Sequence, residues 1–203
     1  MDYSCKDDFE LDFEIELEEK ELAERCIIHR RMLIDDIKNS AVLAGTVLDD
    51  DVHVYMHRFV YEALEKYAAE DTTKERGAML LGEYEHRKTD AADGIRVIIS
   101  DFIEARYAEA SAATLTFTHK TWQHVWRERE ARCPEKRIVG WQHTHPGYGV
   151  FLSGYDLFIQ KNFFNLPFQV AYVIDPIENT RGFFQWKNEK IKKLGGYYIY
   201  DDK

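Results

Sequence analysis

The chain has 203 residues, 45% of them apolar, including 12 Tyr and 12 Phe, and a formal net charge of −10. That content excludes a chain disordered throughout, and no apolar run approaches the roughly eighteen residues a membrane helix needs. Residues 1–51 carry the whole of the −10 and the remainder is balanced, so nothing offers a basic surface to nucleic-acid phosphates.

From the N-terminus, Phe9, Leu11, Phe13, Ile15 and Leu17 alternate with Glu10, Asp12, Glu14, Glu16 and Glu18. This is the period of a strand with one apolar and one acidic face. From Glu19 to about Ser40 the period turns helical, with Leu22, Cys26, His29, Leu33 and Ile37 on one stripe. Packing on the same chain, a dimer contact and a dock for a partner protein all satisfy this pattern. A shift in composition near Gly45–Asp51 divides the chain into an acidic extension, residues 1–50, and a main domain, residues 51–203. The start lacks the basic residues and apolar stretch of a signal peptide. Cys5, Cys26 and Cys133 stand at unrelated spacings, which predicts reduced thiols and a cytoplasmic location.

Beyond the boundary, strand and helix patterns alternate. Strands are expected over Val52–Met56, Ala78–Tyr84, Ile95–Ile103, Ala112–Thr118 and Arg137–Trp141, and helices over Phe59–Ala69 and His119–Arg132. A helix is expected after Ser153, a strand over Phe168–Ile174, and another over Gly182–Trp186 as its hairpin partner. Leu194-Gly195-Gly196 reads as a turn into a short last strand. The pattern gives an α/β or α+β fold. His29, His53, His57, His86, His119 and His124 are scattered and read as surface or capping residues.

Chemistry concentrates in one stretch, Gly140-Trp141-Gln142-His143-Thr144-His145-Pro146, followed by Ser153-Gly154-Tyr155-Asp156. Side chains two apart on a strand share a face, so His143 and His145 can hold one metal ion between them. Asp156 falls one helical turn past Ser153 and can add a carboxylate oxygen. Two imidazoles and a carboxylate suit zinc, with a fourth position open for water. The Ser-x-x-Asp spacing is also that of a helix capping box, and an apolar run follows it. The two readings are compatible, because a cap would fix both residues beside the histidines. Tyr148 and Phe151 sit between the ligands and suit either substrate contact or packing.

The order His-x-His, seven residues, Ser-x-x-Asp closely resembles the JAMM motif of the MPN-domain metalloproteases, and the resemblance covers roughly residues 51–187. That family carries an upstream glutamate with a glycine seven residues on. Glu75 and Gly82 fit, within Glu75-Arg76-Gly77-Ala78-Met79-Leu80-Leu81-Gly82. The resemblance implies a curved, mostly antiparallel sheet flanked by helices. It implies one zinc on His143, His145 and Asp156, with Glu75 and Ser153 as catalytic residues. Glu75 would move the proton, and Ser153 would help stabilise the oxyanion. The implied reaction is hydrolysis of the amide bond after the C-terminal glycine of ubiquitin or a ubiquitin-like protein. A protease that matures a modifier or sulfur-carrier precursor shares the same site. An inactive MPN scaffold fits less well, since all five motif positions are filled. No long insertion lies between Thr118 and Arg137, and no long C-terminal helices follow, which suggests a small stand-alone member.

Overall fold

The structure, a computed structural model, describes residue 37, residues 40–89 and residues 92–202. The strand expected near residues 9–17 and nearly all of the helix expected over residues 19–40 lie outside the described residues. Ile37 is buried against Tyr55 and Tyr200.

In chain order the elements are β1 (Val42–Gly45), β2 (His53–His57), α1 (Arg58–Ala69), β3 (Gly77–Thr89), β4 (Ala92–Glu104), β5 (Glu109–Ala110) and β6 (Leu115–Thr116). Then come α2 (His119–Arg132), β7 (Arg137–Thr144), α3 (Gly154–Phe163), β8 (Val170–Asp175), β9 (Thr180–Lys187), β10 (Lys190–Lys193) and β11 (Gly196–Tyr200). Nine strands form one sheet in the order β1-β11-β2-β4-β3-β7-β8-β9-β10. Most neighbours are antiparallel, while β11/β2, β2/β4 and β7/β8 run parallel. The chain is therefore a mixed α/β fold with a curled sheet and flanking helices, as the resemblance implies.

Two bulges explain the curl at the centre. The pairing of β3 with β4 shifts between Leu81 and Gly82, and its pairing with β7 shifts between Leu80 and Leu81. An extra residue on one strand bends it and increases the local twist. The two faces of the sheet bury separate cores. One face packs Val60, Leu64 and Ala68 of α1 onto Leu80, Val97, Val170 and Tyr172. The other packs Val125 of α2, Ile159 of α3 and Phe164 at the end of that helix onto Met79, Trp141 and Val173. The motif strand β7 runs between these layers, and its odd-numbered residues Trp141 and His143 face α3.

The expected strand over Ala112–Thr118 is shorter in the structure. The Ser111 N–H donates to the Thr114 carbonyl at 2.9 Å, and the two hydroxyls pair at 2.7 Å. That turn leaves only β6 of the segment as strand and pairs it with β5, which precedes the turn. Strand β10 had no expectation. His57, expected to be a surface or capping residue, caps α1, its Nδ1 accepting from the Phe59 N–H at 3.1 Å. Cys133 is buried, with its Sγ 3.1 Å from Asp101 Oδ2; the other two cysteines lie outside the described residues. No helix among the described residues is long and apolar enough to cross a membrane.

Candidate metal centre

The site is assembled by three local devices. The first is strand periodicity. His143 lies near the end of β7 and His145 just past it, where the His145 N–H donates to the Ile174 carbonyl at 2.9 Å and prolongs the pairing with β8. Both rings face the same side, and their Nε2 atoms are 3.1 Å apart.

The second device is the helix cap. The Ser153 hydroxyl accepts from the Asp156 N–H at 3.2 Å, and Asp156 Oδ2 accepts from the Ser153 N–H at 2.7 Å. This is a full capping box, and it aims Oδ2 at the histidines. That oxygen lies 3.4 Å from His143 Nε2 and 3.3 Å from His145 Nε2.

The third device is the register between β3 and β7. Gly77 stands opposite His143. One step further, the Arg76 N–H donates to the Thr144 hydroxyl at 2.8 Å, and the Thr144 N–H donates to the Arg76 carbonyl at 2.9 Å. The next step brings Glu75 alongside His145, with Glu75 Oε1 3.7 Å from His145 Nε2. The Glu75 backbone is held on its other side by its N–H donating to the Ser111 carbonyl at 2.8 Å.

His143, His145 and Asp156 form a buried group able to hold a metal ion. Their three donor atoms make a triangle with sides of 3.1, 3.3 and 3.4 Å. A tetrahedral zinc about 2.0–2.1 Å from each donor requires donors roughly 3.3–3.4 Å apart. The residues present thus fit zinc in both chemistry and spacing. Glu75 Oε2 is also buried and has no hydrogen-bond partner among the described residues.

The charges are strongly perturbed. Burial pushes the Glu75 carboxyl up to about 7, although His145 pulls it down and Asp156 pushes it further up. Burial lowers His143, outweighing the attraction of Asp156. Burial also disfavours a charge on His145, yet its contact with Asp156 and the nearby Glu75 raise it on balance. Asp156 is penalised by burial and still held well below the usual carboxylate range, chiefly by its bonds to His143 and His145.

Around the triangle, the Trp141 ring stacks on His143 with centroids 4.4 Å apart. Trp141 Nε1 donates to Gln160 Oε1 at 2.7 Å, and Gln160 Nε2 donates to the Phe164 carbonyl at 2.6 Å. Phe151 lies over His145, with ring centroids 4.8 Å apart, and is 45% exposed. Tyr148 is more open, at 57%. Two residues that touch this assembly were not singled out from the sequence. Gln160 follows Asp156 by one helical turn, a spacing that marks it as inward-facing. Asp175 directly follows the expected strand over Phe168–Ile174.

The sequence matches the JAB1/Mov34/MPN/PAD-1 ubiquitin protease family over residues 49–166. It is 45% identical over 49 residues to the ubiquitin carboxyl-terminal hydrolase RPN11 of Saccharomyces cerevisiae, a stretch covering 24% of this chain and 16% of that protein. It is 31% identical over 104 residues to the NAD(+) hydrolase TcpA of a Theionarchaea archaeon, covering 47% of this chain and 32% of that one. The chain thus matches well under half the length of these relatives. A protein of Desulfitobacterium hafniense solved in solution shares the fold, with a TM-score of 0.54 at 14% identity over 73% of this chain and 94% of its own. With more than half of its length matched by the family's sequence profile, this chain belongs to the JAB1/Mov34/MPN/PAD-1 ubiquitin protease family.

Proposed function

We propose that this chain is a zinc-dependent isopeptidase that hydrolyses the amide bond after the C-terminal glycine of ubiquitin or a ubiquitin-like modifier. The observation that carries the reading is the triangle of His143, His145 and Asp156 donor atoms with the Glu75 carboxylate 3.7 Å from its His145 corner. The printed name of the yeast relative, a ubiquitin carboxyl-terminal hydrolase, supports the choice of bond.

His143 Nε2, His145 Nε2 and Asp156 Oδ2 would hold the zinc. When bound, zinc supplies a Lewis acid that polarises a carbonyl and brings the pKa of water toward neutrality. Glu75 takes the proton of the attacking water and hands it to the nitrogen of the leaving amine. A carboxyl buried as this one is remains within reach of both protonation states near neutral pH, which a shuttle requires. Ser153 Oγ already accepts from the Asp156 N–H, so its own proton is left to donate to the oxyanion of the tetrahedral intermediate. Phe151, which lies over His145, and the exposed Tyr148 of the same loop would offer apolar contact to the substrate tail.

The test uses the full chain. Metal analysis is expected to find about one zinc per chain. His143→Ala and His145→Ala are each expected to lose most of it. Incubation with a ubiquitin-like modifier–target conjugate, read by intact mass, is expected to release the modifier with a free C-terminal glycine. A wild-type chain that binds no zinc, and gains no hydrolysis when zinc is added, would refute the proposal.

A further inference from the structure

Asp175 is buried at the end of β8 and lies outside the ligand triangle. Its carboxylate accepts four backbone N–H groups. Oδ1 takes those of Gly147 at 2.9 Å, Ile177 at 3.0 Å and Glu178 at 3.1 Å, and Oδ2 takes that of Gly149 at 2.7 Å. The bonds to Ile177 and Glu178 are local and shape the turn after β8, as an aspartate commonly does. The bonds to Gly147 and Gly149 are not local. They reach across to the loop that leaves His145, and they hold both of its glycines, which sit at φ +78° and +83°. An L side chain is disfavoured at such φ, so this loop conformation depends on glycine and on something to hold it.

The far side of Gly149 meets the site. Its carbonyl lies 3.3 Å from His145 Nδ1. With Nδ1–H donating there, the Nε2 lone pair faces His143 and Asp156. The same residue therefore gives its N–H to Asp175 and its carbonyl to a metal-ligand ring.

We propose that Asp175 is a positioning residue for His145: by clamping Gly147 and Gly149 it holds the Gly149 carbonyl on Nδ1 and so sets the tautomer and direction of the ring. This deepens the reading of the triangle as a zinc site and rests on it. A ligating histidine commonly donates its second ring nitrogen, and loss of that support typically weakens metal binding about 10–100-fold. A carboxylate suits the position because two N–H groups converge on its two oxygens. An amide would offer one acceptor and set an NH₂ against the other N–H.

The decisive variant is Asp175→Asn in the full chain. Nitrogen NMR of the metal-free protein at about pH 9, where an ordinary imidazole is neutral, reads the His145 tautomer directly. Wild type is expected to show Nδ1–H, and the variant a mixture or Nε2–H. Competition with a chelator is expected to show zinc bound about 10–100-fold more weakly by the variant. The inference is overturned if the variant keeps the wild-type tautomer and binds zinc within about twofold while merely melting lower, since support of this kind normally costs more. Absence of zinc binding by wild type would sink the metal reading instead, and the tautomer comparison would still decide the role of Asp175. Should Asp175→Asn not fold, amide exchange in wild type decides. The Gly147 and Gly149 N–H groups, in an exposed loop, are expected to exchange at least roughly tenfold slower than in an unstructured peptide. Unprotected exchange at both would rule out the clamp.

Discussion

If the chain works as proposed, substitutions at Glu75 and Ser153 are expected to separate zinc binding from turnover. Replacing Glu75 with Gln removes a buried carboxylate that has no hydrogen-bond partner on one oxygen, without touching the donor triangle. The Glu75→Gln protein is expected to keep its zinc, to melt no lower than wild type, and to lose at least about a hundredfold in kcat, the scale of a lost general base. Equal turnover would send the proton to another group. Ser153 caps α3 and is the proposed oxyanion donor, so Ser153→Ala is expected to have two effects. Loss of the cap on α3 costs about 0.5–2 kcal/mol of stability, seen as a lower denaturant midpoint. Loss of the oxyanion donor lowers kcat about a hundredfold at saturating substrate, with KM nearly unchanged. A drop in stability alone would leave Ser153 as a cap only. Asp175 adds a pH signature. Burial disfavours its charge, yet the N–H groups of Gly147, Glu178, Gly149 and Ile177 outweigh burial and hold it below the usual carboxylate range. A group depressed in the folded state stabilises fully above its unfolded pKa, about 3.9, and loses that contribution as the pH falls through the lower folded value. The stability gap between wild type and Asp175→Asn is therefore expected to be widest near neutrality and to close in acid. A gap unchanged down to about pH 2 would mean that the charge contributes nothing.

At the scale of elements, β7 and α3 act as one unit. The fully buried Trp141 of β7 stacks on His143, and its indole N–H ends on Gln160 of α3, whose amide in turn meets the C-terminal end of that helix. The strand that carries His143 and leads into His145 is thus locked to the helix that carries Asp156. Gln160→Leu would leave the Trp141 N–H buried without an acceptor. The expected cost is about 1–3 kcal/mol by chemical denaturation, with weaker zinc binding as the ring below His143 loses its anchor. A variant as stable as wild type would show that the indole finds another partner. The cap of α3 had a local signature, Ser-x-x-Asp before an apolar run. Gln160 had only its turn spacing, which says that a residue faces inward and not what it meets there.

For the whole molecule, the question is what the N-terminal part contributes. Strand β1 pairs with β11 at the edge of the sheet, and Ile37 is buried with Tyr55 and Tyr200. Asp51 Oδ2 accepts from the N–H groups of Leu48 and Gly195 at 3.0 Å each, tying this region to the turn before β11. A protein lacking residues 1–36 is expected to keep its zinc and its hydrolysis of a minimal peptide. A protein lacking residues 1–51 loses the edge strand, the Asp51 ties and Ile37. Burial of that one isoleucine is alone worth about 1.5–3 kcal/mol, so a clearly lower melting temperature is expected. Equal melting of the two truncations would show that β1 and Ile37 contribute nothing to the core. If the shorter deletion keeps peptide hydrolysis and loses activity on a full conjugate, residues 1–36 act in recognition.

The positions His143, His145, Ser153 and Asp156 were legible in the chain because local geometry governs them. A strand repeats every two residues, and a cap closes over three. Glu75 is different: it lies 70 positions before His145 and was found through the resemblance to a family motif. Its approach depends on Gly77 pairing opposite His143. The flanking helices and most strands were also readable from apolar periodicity. The insertion of β11 between β1 and β2, the parallel pairings and the bulge at Leu81/Gly82 were not. Strand order and register are chosen by which faces bury together, and local sequence does not encode that choice. Asp175 belongs to the same class. Its sequence context announces a turn, and only the parallel alignment of β7 and β8 brings that turn under the glycines that follow His145.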